Sequence, residues 1–250
     1  MTFSNSEQLN EIVQRPYTVD ISQFLKRAWQ ILLSNLGGFV GFTILALVIL
    51  FPLYFTVLGF ILVMPALISG YFFVAFRIAQ NKTVSFSNFF DGFREGFFGR
   101  LLLLFIVEVI VFLVANIPSS LGFFGIVLTS AQSNGSPNVF ILALAGILIL
   151  LSLLLTIYLA VGYIFAIPLV IDKRLPFWDA LETSRKLVSK KWWSVFGFLI
   201  VLSLLSSIVN STGVGVLFTI PFTHAAISAA YESIVGFTIP LSSEDEAPLL

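Results

Sequence analysis

The sequence predicts an all-α polytopic membrane protein of about six transmembrane helices, laid out as three hairpins, each preceded by an amphipathic interfacial helix. Three observations carry that expectation. Of 250 residues, 58% are hydrophobic and only 10% charged, with a mean hydropathy of +1.02, whereas soluble domains are about half apolar and a quarter charged. Stretches without Asp, Glu, Lys, Arg or His run from Leu36 to Phe76 and from Ile141 to Ile171; about 20 apolar residues suffice to cross a bilayer as helix, so the first holds two crossings. All thirteen Lys and Arg precede Leu36, lie between Arg77 and Arg100, or lie between Lys173 and Lys191. Positive charge stays on the cytoplasmic side, which predicts a multi-pass protein of the cell (inner) membrane with both termini cytoplasmic.

The organisation follows in chain order. Residues 1–19 form a polar segment without signal-peptide features, residues 20–236 a single transmembrane domain, and residues 237–250 an acidic tail. Asp20 and Gln23 resemble a capping box, and Ile21, Phe24, Leu25, Ala28, Trp29 and Leu32 share one helical face. Such a basic amphipathic helix lies at the headgroup level or packs on neighbouring protein. Crossings are expected at about Gly37–Tyr54 and Gly59–Ala79. Phe86, Phe89, Phe90, Phe93 and Phe97 then recur at helical spacing, a wedge suited to the acyl boundary, with Asp91, Arg94 and Glu95 facing away.

The third crossing, about Leu101–Ile117, ends at Pro118. Ser119–Asn138 contains a clear turn at Ser133–Pro137. The fourth, about Val139–Ile167, is longer than the roughly 30 Å hydrocarbon layer and so tilts, kinks or emerges before Pro168. A third surface helix, Pro176–Lys191, buries Phe177, Ala180, Leu181, Ser184 and Val188. Trp192 and Trp193 mark the interface, where indoles are favoured. Crossings at about Ser194–Asn210 and Gly213–Ser233 complete the six. Gly70-Tyr71-Phe72-Phe73 and Gly162-Tyr163-Ile164-Phe165 occupy corresponding places in an architectural repeat.

The run Phe165–Asp172, then Trp178-Asp179-Ala180-Leu181, Ser184, Trp192-Trp193, and Gly213-Val214-Gly215 ahead of Pro221 resemble uncharacterised bacterial integral membrane proteins related to the membrane domain of glycerophosphoryl diester phosphodiesterases. The resemblance covers most of the chain in layout and about 60 residues in motif. It implies a six-span helical domain in a bacterial cell membrane, concerned with lipid or envelope. It carries no functional residues across.

Chemistry is sparse. Glu108 lies within the third crossing, where a charge normally faces protein or a water cavity and marks a functional site, or else a protonated group fixing helix packing. His224, the single histidine, falls on a stripe with Pro221, Ser228 and Glu232. Ser203, Ser206, Ser207 and Asn210 make a second stripe. Facing stripes line a hydrated path or join two helices. One His without Cys makes a poor metal site, so neither metal nor cofactor is expected. Lys26, Arg27, Trp29, Arg94, Lys186, Lys190, Lys191, Trp192 and Trp193 are lipid-interface candidates. Zero formal charge gives no argument for nucleic acid.

Three functions compete. The first is a noncatalytic domain placing amphipathic helices on the cytoplasmic leaflet, engaging membrane lipids, anionic ones included, or a membrane protein partner. The second is a small-molecule or lipid transporter using Glu108 and His224, which then approach each other. The third is an intramembrane lipid enzyme. It ranks last, because no nucleophile elbow, paired carboxylate or zinc pattern is present, and no enzyme is expected.

Overall fold

The computed structural model describes residues 12–132 and 138–237. The Ser133–Pro137 turn, most of the polar N-terminal segment and nearly all of the acidic tail lie outside them. The described chain is helical throughout, 83% helix with no strand. Its order is α1 (Ile21–Ser34), α2 (Leu36–Leu53), α3 (Val57–Ala79), a 3₁₀ helix (Phe86–Phe93), α4 (Phe98–Ala115), α5 (Ile117–Gln132), α6 (Val139–Gly162), α7 (Ala166–Lys173), α8 (Phe177–Ser189), α9 (Trp192–Asn210) and α10 (Val216–Ile234). Five segments are long and apolar enough to cross a membrane: α2, α3, α4, α6 with α7, and α9. The chain is therefore a multi-pass membrane protein. The expected sixth crossing, α10, is also 19 residues long but less apolar.

Burial explains that difference. Ala225, Ala226, Ser228, Ala229, Ala230 and Tyr231 of α10 are all buried, so this helix faces protein on most sides and has less need of an apolar exterior. Its small residues let neighbours come close, which matters because lipid tails are as apolar as Leu and give helices little hydrophobic reason to associate. The C-terminal half of α3, from Pro65 to Phe76, is almost wholly buried as well. Helices α3 and α10 form the centre. Phe76 stacks on Tyr231 at 5.4 Å and Tyr71 stacks on His224 at 4.8 Å.

Helix α1 begins as expected, with Asp20 Oδ1 accepting from the Gln23 amide at 2.9 Å. Its apolar face covers protein: Phe24, Ala28, Ile31 and Leu32 are buried, Phe24 edge-on to Phe198 at 5.5 Å. Arg27 meets Glu232 while Trp29 meets Phe222, so α1 runs antiparallel along α10. Of the predicted stripe, Trp29 stays open, 55% exposed.

The phenylalanine segment departs further from expectation. It forms a 3₁₀ helix, and Phe89 points into the protein, stacked on Phe42 at 4.5 Å and edge-on to Phe39 at 5.4 Å. Asp91, expected outside, is buried at 3% exposure, paired with Arg94 at 3.1 Å and within 3.7 Å of Arg77. The physical cause is close backbone approach: Gly70 presents no Cβ to the Phe89 carbonyl, and Gly92 none to Ser69 or the Ala66 carbonyl. The 3.6-residue spacing of the phenylalanines did not reveal this, because a neighbouring groove drew the ring inward.

Most of Ser119–Asn138, in which sequence reading placed only the Ser133–Pro137 turn, is helix. Backbone bonding continues through the joint after α4, with Ser120 N donating to Asn116 O at 3.1 Å. Helix α6 ties this joint down: Ser119 N donates to Ser152 Oγ at 3.0 Å and Asn116 Nδ2 to Thr156 Oγ1 at 3.1 Å. Gly122 then lies against Ala145 and Gly125 against Ile141, making an α5/α6 hairpin. The long fourth segment breaks at Tyr163–Phe165, where Ser184 Oγ donates to the Gly162 carbonyl at 2.7 Å and accepts from Phe165 N at 3.1 Å. As expected, α8 buries Ala180, Leu181, Ser184 and Val188.

A methyl group at Gly70 would overlap the Phe89 carbonyl, whereas one at Gly146 meets nothing within 4 Å. Gly70→Ala should therefore cost about 1–3 kcal/mol and Gly146→Ala very little. Unfolding of the two purified variants in detergent, followed by circular dichroism against denaturant, measures the contrast.

Candidate functional site at the charged end of the bundle

Basic residues cluster because the connectors that carry them meet at one end. Arg27 of α1 binds Glu232 through two bonds, Nε to Oε2 at 3.0 Å and Nη2 to Oε1 at 3.1 Å, and also donates to the Ala79 carbonyl at the end of α3. The fork geometry of a guanidinium suits this use, since one side chain can tie a carboxylate and a helix C-terminus together. Arg100, at the start of α4, donates to the Arg174 carbonyl beyond α7, and Arg174 lies over the Phe97 ring at 5.5 Å. Arg174 has a left-handed backbone, φ 51°, which reverses the chain between α7 and α8.

Asp172 and Tyr231 join α7 to α10. Asp172 is 5% exposed; it accepts from the Tyr231 hydroxyl at 2.8 Å and pairs with Lys173 at 3.0 Å, and Lys173 also reaches the Gly236 carbonyl at 3.2 Å. Sequence reading assigned no role to this pair. Its one legible signal was the position of Asp172 at the end of an apolar run.

The N-terminal segment docks here too. The buried Tyr17 hydroxyl donates to the Leu187 carbonyl at 2.8 Å, and Lys191 lies 5.8 Å over its ring. Burial pushes the Tyr17 phenol up to about 12. On α8, Glu182 pairs with Arg185 at 2.8 Å and Lys186 at 3.3 Å. The hydrogen bonds from Arg185 hold its carboxyl below the ordinary value. Lys26, Lys186, Lys190 and Lys191 are exposed, as is Trp193. Trp192 stacks on Phe196 at 4.9 Å.

The intramembrane candidates are dispersed. His224 Nδ1 lies 2.7 Å from the Ile220 carbonyl, and Ser228 Oγ donates to the His224 carbonyl at 2.8 Å; both are bonds within α10. The His224 ring stacks on Tyr71 and meets Phe72 edge-on, and Tyr71 in turn donates to Thr43 at 3.0 Å. Glu232, placed on the same stripe, belongs instead to the charged end with Arg27. Asn210 Oδ1 accepts from Thr219 at 2.7 Å, joining α9 to α10. Ser203 is exposed, and Ser206 borders an apolar groove of about 400 Å³ between Trp29, Leu33, Leu205 and Phe218.

Glu108 sits within electrostatic reach of Tyr163 at the α6–α7 break. Helix α4 packs chiefly on α3, α8, α6 and α7, whereas α10 packs on α1, α3, α2 and α9. Both therefore touch α3 without forming a principal pair with each other, so Glu108 and His224 lack the close pairing of helices that the transport reading expects. No group of three or more His, Cys, Asp or Glu capable of holding a metal occurs among the described residues.

Two expectations follow. The Tyr17 phenol is neutral in the fold up to higher pH than in the unfolded chain, so its contribution to stability is complete below about pH 10. That contribution disappears as pH rises towards 12. Melting temperature against pH should fall less steeply over this interval for Tyr17→Phe than for the parent; superimposable slopes contradict the assignment. For the half-exposed Arg27–Glu232 pair, a double-mutant cycle with Arg27→Gln and Glu232→Gln should give coupling of about 0.5–1 kcal/mol, reduced by solvent screening.

Comparison with family models, with curated proteins and with solved structures found no match.

Proposed function

We propose that this protein is a noncatalytic membrane domain that holds its charged end against the cytoplasmic leaflet and engages anionic lipid there. The reading rests on one observation above the rest: basic side chains from every charged connector meet at the same end of the bundle, where Arg27, Arg100, Asp172 and Tyr17 tie α1, α3, α4, α7, α8 and α10 together. A rigid array of that kind presents exposed Lys186, Lys190 and Lys191 to a headgroup layer without reordering the fold, and each exposed cation near an anionic leaflet contributes about 1 kcal/mol. Trp193, 77% exposed beside them, suits the interfacial zone.

The proposed setting is the bacterial inner membrane with both termini in the cytoplasm. Kinship with the membrane domain of glycerophosphoryl diester phosphodiesterases is part of the same proposal. Amphipathic faces contribute less than the sequence alone implied, because α1 and the 3₁₀ segment spend much of theirs on protein. The lipid surface is instead the charged rim and its tryptophans.

Neutralising Lys186, Lys190 and Lys191 together to Gln should lower the enrichment of phosphatidylglycerol over phosphatidylcholine around the protein in mixed nanodiscs by about tenfold or more, read by mass spectrometry of bound lipids. Unchanged enrichment contradicts the reading. Solute uptake into proteoliposomes abolished by Glu108→Gln or His224→Ala would establish the transporter in its place.

A further inference from the structure

Between α1 and the last turns of α10 lies an open pocket of about 500 Å³, whose lining includes Asp20, Gln23, Lys26, Arg27, Gln30 and Glu232. Its charges divide into two kinds. Arg27 and Glu232 satisfy each other through two hydrogen bonds, and Asp20 has one oxygen committed to the Gln23 amide. Lys26 is exposed and has Gln23 and Gln30 three residues before and four after it, on its own side of the helix. One cation flanked by two long amide side chains, in a lining that also holds the hydroxyls of Ser22 and Ser233, offers donors to a tetrahedral anion. Asp20 and Glu232 border the same cavity with carboxylates that repel a second negative charge, and Asp20, with only one oxygen committed, can accept a hydrogen bond from an ammonium group.

We propose that this pocket binds the headgroup of an aminophospholipid, with the phosphate at Lys26, Gln23 and Gln30 and the ammonium at Asp20. The proposal rests on the lipid-engaging reading but on different residues and on the opposite selectivity. The exposed lysines of α8 favour net negative charge, while this pocket, with two cations and two carboxylates, favours a zwitterion whose ammonium can donate hydrogen bonds. Exposed Trp29, one turn from Lys26 and packed on Phe222 at 6.1 Å, places the pocket beside an aromatic residue of the type that anchors at headgroup depth.

The test titrates the purified full-length chain in detergent with dihexanoyl phosphatidylethanolamine, phosphatidylcholine and phosphatidylglycerol, and with soluble glycerophosphoethanolamine and inorganic phosphate. Binding is read by native mass spectrometry. Phosphatidylethanolamine should bind most tightly, with glycerophosphoethanolamine competing and inorganic phosphate not. Lys26→Gln should weaken it by about tenfold, the worth of one charge-assisted contact, and Asp20→Asn should narrow its advantage over phosphatidylcholine, whose ammonium has no N–H. Equal affinity for the three lipids, or Lys26→Gln binding as the parent does, overturns the proposal. Melting temperature of each variant identifies any that has lost its fold, and Lys26→Arg, which keeps the charge, should retain binding. The Lys186, Lys190 and Lys191 triple variant should bind phosphatidylethanolamine normally, so failure of the anionic-leaflet reading and failure of this one give different results.

Discussion

A charge at the centre of a membrane helix costs about 2.5–3.5 kcal/mol on insertion scales, and that cost arranges this molecule. All thirteen Lys and Arg lie among the described residues, and the five apolar spans hold them only in their end turns, as Arg77, Arg100 and Lys173; their partners include carboxylates and helix-terminal carbonyls found at the same place: Glu232, Asp91, Asp172 and the carbonyls of Ala79 and Arg174. Sorting charge to one end thus does two things at once. It leaves the apolar lengths free to meet lipid, and it gives helices that have little hydrophobic reason to associate in a bilayer a set of polar ties.

Within the apolar region, close approach replaces hydrophobic driving force. Gly70 and Gly92 bring the 3₁₀ segment onto α3, Gly122 brings α5 onto α6, and the alanines of α10 let four helices crowd around it. Polar groups at this depth complete their hydrogen bonds locally, as Ser228 and His224 do within α10, or stitch one helix to its neighbour, as Asn116 does to Thr156 and Asn210 to Thr219.

The all-helical class, five of the six expected spans and the buried face of α8 were legible because hydropathy and 3.6-residue spacing are local properties. The first two crossings fall within about two residues of where length alone puts them, and Asp20 caps α1 as its spacing implied. What escaped depends on distant neighbours. Phe89 looked lipid-facing until Gly70 made room for it. Nothing local in Ser119–Gln132 announced its helix, which is tied at its start to Ser152 and Thr156 of α6. Asp172 and Tyr231 are 59 residues apart, and nothing in either neighbourhood announces the other. For the site, the basic residues were legible as a set, whereas the division of Arg27 from Lys26, one paired and one open to the surface, exists only in three dimensions.

Ser184 couples two parts of the molecule that face different surroundings. A single hydroxyl serves both the carbonyl of Gly162 and the amide of Phe165, so α8 cannot slide along the bundle without exposing backbone at the bend of the long apolar segment. Displacing that amphipathic helix therefore costs two hydrogen bonds at the bend of the long apolar segment, so one serine ties the position of the first to the shape of the second.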